Sequence, residues 1–542
     1  MPLLNIISLL HAKYALKLKK TLLFLLLCLF FSSCEWFKAK PEIGLVLAKH
    51  FDNKLYKKFD TASYNQVFLK KLTELKSSLS NPKVTKAHYT QNEYKPLLIT
   101  RFYANGNLDS LKNYINNTKA DGFNPEIFGI NELTDLLKVL NANRFKNIND
   151  VYPLIAELEL KTADALLRYH TYMKYGSINP RKYFNRYYIA VKRPDSIQLD
   201  SVLSTTDLLD VLKNSQQTSK AYLDLRKALA FYRDSLKSDN HPLIKLIKLN
   251  MERMRWQMPI NLDEVVMVNI PDFSLTWFVK QDTLVHMNVC VGAKREETYA
   301  EKMKVFLKTG KLDDKPKNHE TPQLVSVFNA IQVNPIWNIP VSIAQSEIYY
   351  QAIKDPYYLS NNNIKVYFKG KLVKDPDTIR WGRYTREKLP FQFKQGSGEG
   401  NALGKFKFVF DNSSSIYLHD TNNKYGFKLK NRAISHGCVR IENPLQFAQL
   451  MVRDKYQYDN LRMEVDLPPL DTTRNEKYRK ILAKKADTLK RFQLKPAWFA
   501  TRKNVAVVIT YYTAWVENGK VAFRPDVYDY DGLLWNALKK YM

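Results

Sequence analysis

The spacing of apolar residues along the chain changes near residue 257. From about residue 41 to residue 256 the apolar positions recur at helical spacing, and polar breaks such as Asn81-Pro82 interrupt them. The clearest stretches predict helices over 150–175, 221–236 and 243–256. Few runs in this half alternate between apolar and polar residues, so the pattern predicts an all-α scaffold domain over residues 35–256.

The second half of the chain alternates instead with the two-residue period of a β-strand. Residues 264–270, 274–279 and 283–291 predict three successive strands joined by turns. The same criteria predict further strands over 401–410 and 505–516 and helices over 444–453 and 474–492. We therefore expect an α+β protein: after the scaffold come a β-rich domain over 257–470 and a basic helix with C-terminal strands over 471–542 that complete it.

Residues 342–400 interrupt the β-rich pattern. A helical stretch over 343–354 precedes a polar and aromatic segment that contains Gly396, Gly398 and Gly400. We predict an inserted cap, because a covalent intermediate beneath it would be shielded from water, and the glycines would act as its hinge. A disordered surface loop is the alternative.

Residues 1–34 have the pattern of an export signal. Four lysines between positions 13 and 20 precede the apolar run 22–31, which is too short to span a bilayer. Ser32-Ser33-Cys34 then resembles a bacterial lipoprotein cleavage site, although Phe31 stands where such sites usually have leucine. We expect lipidation at Cys34 and a location in the bacterial cell envelope, on the periplasmic side; ordinary cleavage and an uncleaved anchor are the alternatives.

The formal charge of +31 indicates a polyanionic neighbour: nucleic acid, anionic lipid or an acidic wall polymer. The lysines are scattered among 33 tyrosines and 28 phenylalanines with no dominant basic tract, which favours a solvated cationic surface over a nucleic-acid groove. We expect a monomer that does not bind nucleic acid.

Only four cysteines occur, and Cys28 and Cys34 belong to the N-terminal segment. Cys290 lies in an alternating run and is expected to pack as a small apolar residue. A disulfide between Cys290 and Cys438 is the alternative in an oxidising compartment. We expect a free and partly exposed Cys438.

The residues that can support chemistry are concentrated in 413–444. An apolar run that includes Tyr417 ends at His419, as a strand brings a side chain to the rim of a sheet, and after a polar loop comes Ser435-His436-Gly437-Cys438-Val439-Arg440. Gly437 allows a tight turn or a positive φ beside the thiol. A reactive thiolate needs a neighbouring cation or base, and either His419 or His436 can supply it.

A zinc site is the other possibility for this stretch, because His419, Asp420, His436 and Cys438 are all ligand types. No short His or Cys pair has the usual ligand spacing, and a metal would quench the nucleophile. We therefore expect no metal and no cofactor.

The hexapeptide 435–440, with His419-Asp420-Thr421 upstream, closely resembles the catalytic signature of the L,D-transpeptidases, and in particular their large YcbB-like branch with a YkuD-type catalytic domain. Further segments resemble the same branch at 175–180, 249–256, 269–273, 334–340, 512–516 and 523–528. One departure is clear. Many relatives insert a peptidoglycan-binding helical module where this chain has only residues 237–241.

This resemblance implies that Cys438 attacks the carbonyl of the third residue of a peptidoglycan stem tetrapeptide and forms a thioester. His419 would act as base and acid, paired as imidazolium with the thiolate, while a backbone carbonyl such as that of Asp420 orients its other nitrogen. The N–H groups of Gly437 and Cys438, at a turn entering a helix, would hold the oxyanion, and His436 would shape the pocket.

Arg440 would bind a substrate carboxylate or serve structurally, and Tyr417, Trp337 and Asn338 would line the pocket or pack in the core. A second stem peptide would accept the acyl group. Transfer to water would instead make an L,D-carboxypeptidase, and transfer to a lipoprotein amine would attach protein to the wall. A non-catalytic envelope scaffold is the rival of another class.

Overall fold

The computed structural model describes residues 41–259, 263–280, 282–487, 494–502 and 504–542. The predicted export signal and its Cys34 lie outside the described residues. Chain contacts divide the protein into two compact units, with residues 118–124, 171–193 and 216–542 forming the second. None of the described helices is long and apolar enough to cross a membrane.

The first unit is helical, as the apolar spacing predicts. Its helices are α1 (Glu42–His50), α2 (Thr61–Leu75), α3 (Pro82–Gln91), α4 (Leu97–Phe102), α5 (Asn107–Asn117), α6 (Ile130–Ala142), the first twenty residues of α7 (Val151–Tyr175), α8 (Ser196–Leu203) and α9 (Leu208–Asn214).

A buried carboxylate caps one of these helices. Helix α4 follows Pro96 and has no capping side chain of its own. Glu159 of α7 instead accepts hydrogen bonds from the N–H groups of Leu98 and Ile99, both at 2.9 Å, and from the Tyr89 hydroxyl at 2.7 Å. Donors at the start of a helix otherwise lack partners, so Glu159 ties α4 to the core of this unit.

The second unit contains two helices before its sheet, α10 (Lys220–Leu236) and α11 (Pro242–Arg255). Pro242 occupies the first turn of α11, where its missing N–H costs nothing. At the other end Arg255 is fully buried, pairs with Glu252 at 3.1 Å and contacts the Tyr222 hydroxyl at 2.7 Å. These helices, predicted as part of the scaffold, lie in the same compact unit as the sheet.

Ten strands form the main sheet: β1 (Glu264–Asn269), β2 (Ser274–Val279), β3 (Asp282–Gly292), β4 (Leu324–Val333), β9 (Phe406–Phe410), β10 (Leu418–His419), β11 (Ala433–Ser435), β12 (Val439–Ile441), β13 (Ala497–Ala500) and β14 (Ala506–Thr510). The pairing order β3-β12-β10-β9-β4-β14-β1-β2 returns to β3, so these strands close on themselves. The C-terminal strand β14 lies between β1 and β4.

The strands close around one apolar core. Phe406, Phe408 and Phe410 of β9 are buried on one face, next to Trp277 of β2. Phe447 stacks edge-on against Phe408 with ring centroids 4.7 Å apart. The alternation on β9 therefore turns the intervening Lys407 toward the opposite face of the sheet.

The inserted segment is ordered rather than a loop. It contains the helical turn α13 (Val341–Ile343), a π-helical turn (Ala344–Ile348), the helices α14 (Tyr349–Lys354) and α15 (Tyr358–Asn361), and a sheet of β5 (Trp337–Ile339), β6 (Ile364–Phe368), β7 (Lys371–Leu372) and β8 (Phe391–Gln395). These elements bury a core of their own around Ile343, Leu359, Val366 and Phe393. Strand β5 begins before residue 342, so the ordered segment is larger than the predicted insertion.

The remaining elements are α12 (Tyr299–Thr309), α16 (Pro444–Met451), α17 (Lys455–Glu464), α18 (Asn475–Asp487), the hairpin of β15 (Ala514–Glu517) and β16 (Lys520–Phe523), and α19 (Tyr530–Leu538). One expectation about these elements is wrong. No helix starts at Cys438, because Val439–Ile441 pairs as a strand with β3 and β10, and α16 begins only at Pro444.

Candidate active site

Strand β10 carries His419 between two cations. The register pairs His419 with Lys407 of β9 on one side and with Arg440 of β12 on the other. Arg440 in turn lies opposite Cys290 of β3. Directly paired residues point to the same face of a sheet, so Lys407, His419, Arg440 and Cys290 form one row across four strands.

The loop between β11 and β12 presents Cys438 beside this row. Gly437 has φ +119°, which L side chains rarely adopt, and it closely approaches Gly292 of β3. The buried Thr321 hydroxyl donates to the Gly437 carbonyl and accepts from the Gly292 N–H, both at 2.8 Å. The loop is thereby fastened to the end of β3.

Ser435 changes the expected source of the oxyanion donors. Its hydroxyl accepts the Gly437 N–H at 3.1 Å and donates to the Cys438 carbonyl at 2.6 Å. The Gly437 N–H is therefore already occupied within the loop. The Cys438 N–H has no acceptor in the described part of the chain, which leaves it as the loop's candidate donor to an oxyanion.

The imidazole of His419 is almost fully buried, at 4% exposure. Its Nδ1–H donates to the Asp420 carbonyl, as expected, which leaves the lone pair on Nε2. The Asp420 carboxylate accepts from the Lys405 and Thr421 N–H groups at 2.8 and 2.7 Å and pairs with Lys424 at 2.5 Å. Asp420 therefore shapes the turn rather than acting on the imidazole with its carboxylate.

Burial, with the Arg440 charge next in importance, lowers the pKa of His419 to about 3. Burial also raises the pKa of the Cys438 thiol above its ordinary value. Both shifts disfavour the charged forms of these two groups, so burial opposes the thiolate–imidazolium pair expected from the sequence.

The thiol itself is partly exposed and free, as expected. Its sulfur lies 4.0 Å from the Ser415 carbonyl. Burial, followed by the neighbouring Cys438, raises the pKa of the Tyr417 hydroxyl. The Tyr417 ring lies edge-on to the His419 ring, with centroids 5.6 Å apart. Tyr417 therefore lies beside both the imidazole and the thiol.

A cleft of about 580 Å³ collects these groups. It is lined by every predicted catalytic and substrate-binding side chain: Trp337, Asn338, Tyr417, His419, His436, Cys438 and Arg440. Lys407 and Arg186 add two further cations, and no acidic residue is among the lining residues. The cleft therefore suits a ligand that carries carboxylates.

His436 lines the cleft and also contacts the inserted segment. Its Nε2 lies 2.5 Å from Oε1 of Glu347 in the π-helical turn, and its ring packs edge-on against His319 at 4.7 Å. The hydrogen bond with His436 lowers the pKa of Glu347, so the carboxylate is ionised at neutral pH. His436 joins the Cys438 loop to the inserted segment.

Sequence reasoning missed Lys407, Glu347, Thr321 and His319. The alternation of β9 does place Lys407 on the face opposite the phenylalanines, but no local pattern reveals the register that sets it beside His419. Cys290 is also a free, buried thiol. Within the described ranges, no three side chains of His, Cys, Asp or Glu are grouped to hold a metal ion.

Comparison with known proteins agrees with this geometry. Residues 263–460 match the family model of the L,D-transpeptidase catalytic domain, YkuD, and residues 83–229 match the model of a scaffold domain. A Haemophilus influenzae protein named "Putative L,D-transpeptidase" is 27% identical over 348 residues, which are 63% of this chain and 60% of that protein. The chain therefore carries the YkuD L,D-transpeptidase catalytic domain at residues 263–460, preceded along the sequence by a scaffold domain.

Proposed function

We propose that this protein is a peptidoglycan L,D-transpeptidase of the YcbB-like branch, with Cys438 as its nucleophile. One observation carries the proposal. Cys438, which directly precedes β12, and His419 on the neighbouring strand β10 line the same cleft, among three cations and no acidic lining residue. Stem tetrapeptides carry several carboxylates and an amide that a thiolate can attack, so they match this cleft in charge and reactivity.

Acylation begins with transfer of the thiol proton from Cys438 to Nε2 of His419. The sulfur attacks the carbonyl carbon of the third stem residue, and the Cys438 N–H stabilises the resulting oxyanion. Collapse of this intermediate breaks the peptide bond. The proton on Nε2 passes to the departing amine of D-alanine, and a thioester on Cys438 remains.

Transfer to an acceptor reverses these proton movements. The side-chain amine at the third position of a second stem attacks the thioester, neutral His419 takes its proton, and the departing Cys438 sulfur receives that proton. The product is a cross-link between two third-position residues, and the enzyme returns to its starting state. We assign Arg440 to a carboxylate of the bound stem, which Trp337 and Asn338 of the same cleft would also contact.

Purified tetrapeptide muropeptides test this reaction. Incubation with the protein should yield a cross-linked dimer and free D-alanine, and Cys438→Ala should yield neither. Free tripeptide alone would instead indicate an L,D-carboxypeptidase. A tripeptide-linked product formed only with a lipoprotein amine would indicate protein attachment. No product from any acceptor with well-folded protein would favour the non-catalytic scaffold.

We further propose that the protein works on the periplasmic side of the envelope, held there by a lipid on Cys34. The formal charge of +31 would concentrate it near the anionic wall and offset the lack of a peptidoglycan-binding module between α10 and α11. Cys34→Ala should weaken envelope retention in cell fractionation without changing turnover on soluble muropeptides. An equal loss of turnover in solution would contradict this role.

A further inference from the structure

His419 is a poor counter-charge for the Cys438 thiolate. Burial, followed by the Arg440 charge, lowers the pKa of His419 to about 3 and so disfavours its imidazolium form. A thiolate in a partly buried site still needs positive charge nearby. The charge must therefore come from another residue of the cleft.

Lys407 is placed to supply it. It lies directly across from His419 on β9 and lines the same cleft as Cys438. Its Nζ sits 4.0 Å from the centre of the Tyr417 ring, and the pKa of the Tyr417 hydroxyl is raised by burial and then by the neighbouring Cys438. The ammonium, the aromatic face and the thiol thus follow one another at the same edge of the sheet.

Lys407 has no carboxylate of its own to neutralise. Within the described residues it makes no ion pair, although burial lowers its pKa and so disfavours a cation at this position. The one group that acts in the opposite direction, raising the pKa of Lys407, is the Cys438 thiolate. The two groups therefore stabilise each other's charged forms.

The other charged and titratable groups around Cys438 do not replace Lys407. Arg440 on β12 also favours the thiolate, but after Lys407 in importance. His419 on β10 is neutral, and burial raises the pKa of Tyr417 so that its hydroxyl stays protonated and can donate. His436, next to Cys438 in the loop, is engaged with Glu347.

We propose that Lys407 is the cation that stabilises the Cys438 thiolate, with the Tyr417 hydroxyl as its hydrogen-bond donor, while neutral His419 only moves protons. In this arrangement Nε2 of His419 takes the thiol proton and passes it on, to solvent in the free protein or to the departing amine during acylation. The negative charge that stays on sulfur is balanced across the ring of Tyr417 by the Lys407 ammonium. The inference rests on the proposed role of Cys438 as nucleophile. It requires no particular acceptor.

The rate of Cys438 alkylation as a function of pH tests the inference without any peptidoglycan. Iodoacetamide is added to the full-length protein between pH 6 and 10, and modification of the peptide containing Cys438 is followed by mass spectrometry, which separates it from Cys290. An opposite charge close to a titrating group shifts its pKa by about 1–3 units, so Lys407→Met should slow alkylation at pH 7.5 by about tenfold or more and move the midpoint to higher pH.

Two further variants separate charge from packing. Lys407→Arg keeps the cation and should alkylate within about threefold of the unsubstituted protein, whereas Lys428→Met removes an exposed cation elsewhere and should leave the profile unchanged. Circular dichroism checks that each variant is folded. An unchanged profile in Lys407→Met, or an equal shift in Lys428→Met, would overturn the inference, and so would a folded Lys407→Arg as slow as Lys407→Met.

The result is independent of the muropeptide assay. If Lys407→Met shows the predicted shift in alkylation but the unsubstituted protein has no turnover on stem peptides, the role of Lys407 is supported and the proposed reaction is refuted. Turnover that proceeds normally in Lys407→Met would retain the reaction and refute the role of Lys407.

Discussion

Glu347 holds the inserted segment against the Cys438 loop, and removing its carboxylate should loosen that segment. The contact is a hydrogen bond of 2.5 Å to His436, whose side chain is 38% exposed while that of Glu347 is 47% exposed. A buried charge-assisted hydrogen bond contributes about 1.5–3 kcal/mol, whereas an exposed pair contributes about 0.2–1 kcal/mol. For this half-exposed pair we expect about 1 kcal/mol, or roughly a fivefold change in the ratio of released to held segment.

Hydrogen–deuterium exchange of peptides that cover 341–354 measures this ratio. Glu347→Ala should speed exchange there by about fivefold, and Glu347→Gln should have a smaller effect because an acceptor oxygen remains. Glu399→Gln removes an exposed carboxylate from the same insertion and should change nothing. Equal exchange in Glu347→Ala and the unsubstituted protein would refute the contact as a restraint, as would an equal acceleration in Glu399→Gln.

The same contact has a defined pH dependence. His436 lowers the pKa of Glu347 below its ordinary value, so the stabilisation is fully present above the ordinary carboxyl range. It is lost as the pH falls through the lowered pKa. In the unsubstituted protein, exchange in 341–354 should therefore rise to the rate of Glu347→Ala only in strongly acidic buffer.

Three other perturbations test the fold and the site. Arg255→Met breaks a fully buried ion pair and should lower the free energy of unfolding by about 3–5 kcal/mol in urea denaturation; a loss under about 1 kcal/mol would contradict the network. Gly404→Ala forces a Cβ to within 2.4 Å of the Asp420 carboxylate at φ +61°, so kcat on muropeptides should fall through misplaced His419, and unchanged kcat would show that this turn does not position it. Burial raises the pKa of Glu159 from 4.5 to about 7, so its contribution to stability should fall by roughly 3 kcal/mol as the pH rises across that interval, and thermal unfolding of Glu159→Gln should lack this component.

Periodicity was sufficient for the long, regular elements of this chain. The helices over 151–175, 220–236 and 242–255 and the strands β1–β3 follow directly from the spacing of their apolar residues. The predicted fold class, helical scaffold followed by β-rich catalytic domain, is confirmed. These segments are long enough for local pattern and tertiary packing to agree.

Short elements were less predictable because the strands they pair with determine their secondary structure. Val439-Arg440-Ile441 is only three residues long, and its pairing with β3 and β10 makes it a strand where a helix start was expected. The insertion has little alternation, yet β5 and β8 build its sheet by pairing residues as far apart in sequence as Trp337 and Gln395. Such long-range pairing leaves no local signal.

In the candidate site, too, the local sequence shows some properties and long-range pairing determines the others. The identities of His419 and Cys438 stand out in the motif, whereas their electrostatics depend on register and burial. Lys407 reaches the site only through the pairing of β9 with β10, and the lowered pKa of His419 follows from burial and the Arg440 charge. Neither property can be read from the motif itself.

The claim that Cys438 is an acylated nucleophile is tested most directly by intact-protein mass spectrometry after exposure to a carbapenem, which acylates L,D-transpeptidases through their cysteine. We predict a single covalent adduct, located by peptide mapping within 433–441, that Cys438→Ala abolishes. The absence of an adduct on folded protein, or an adduct that persists in Cys438→Ala, would contradict it.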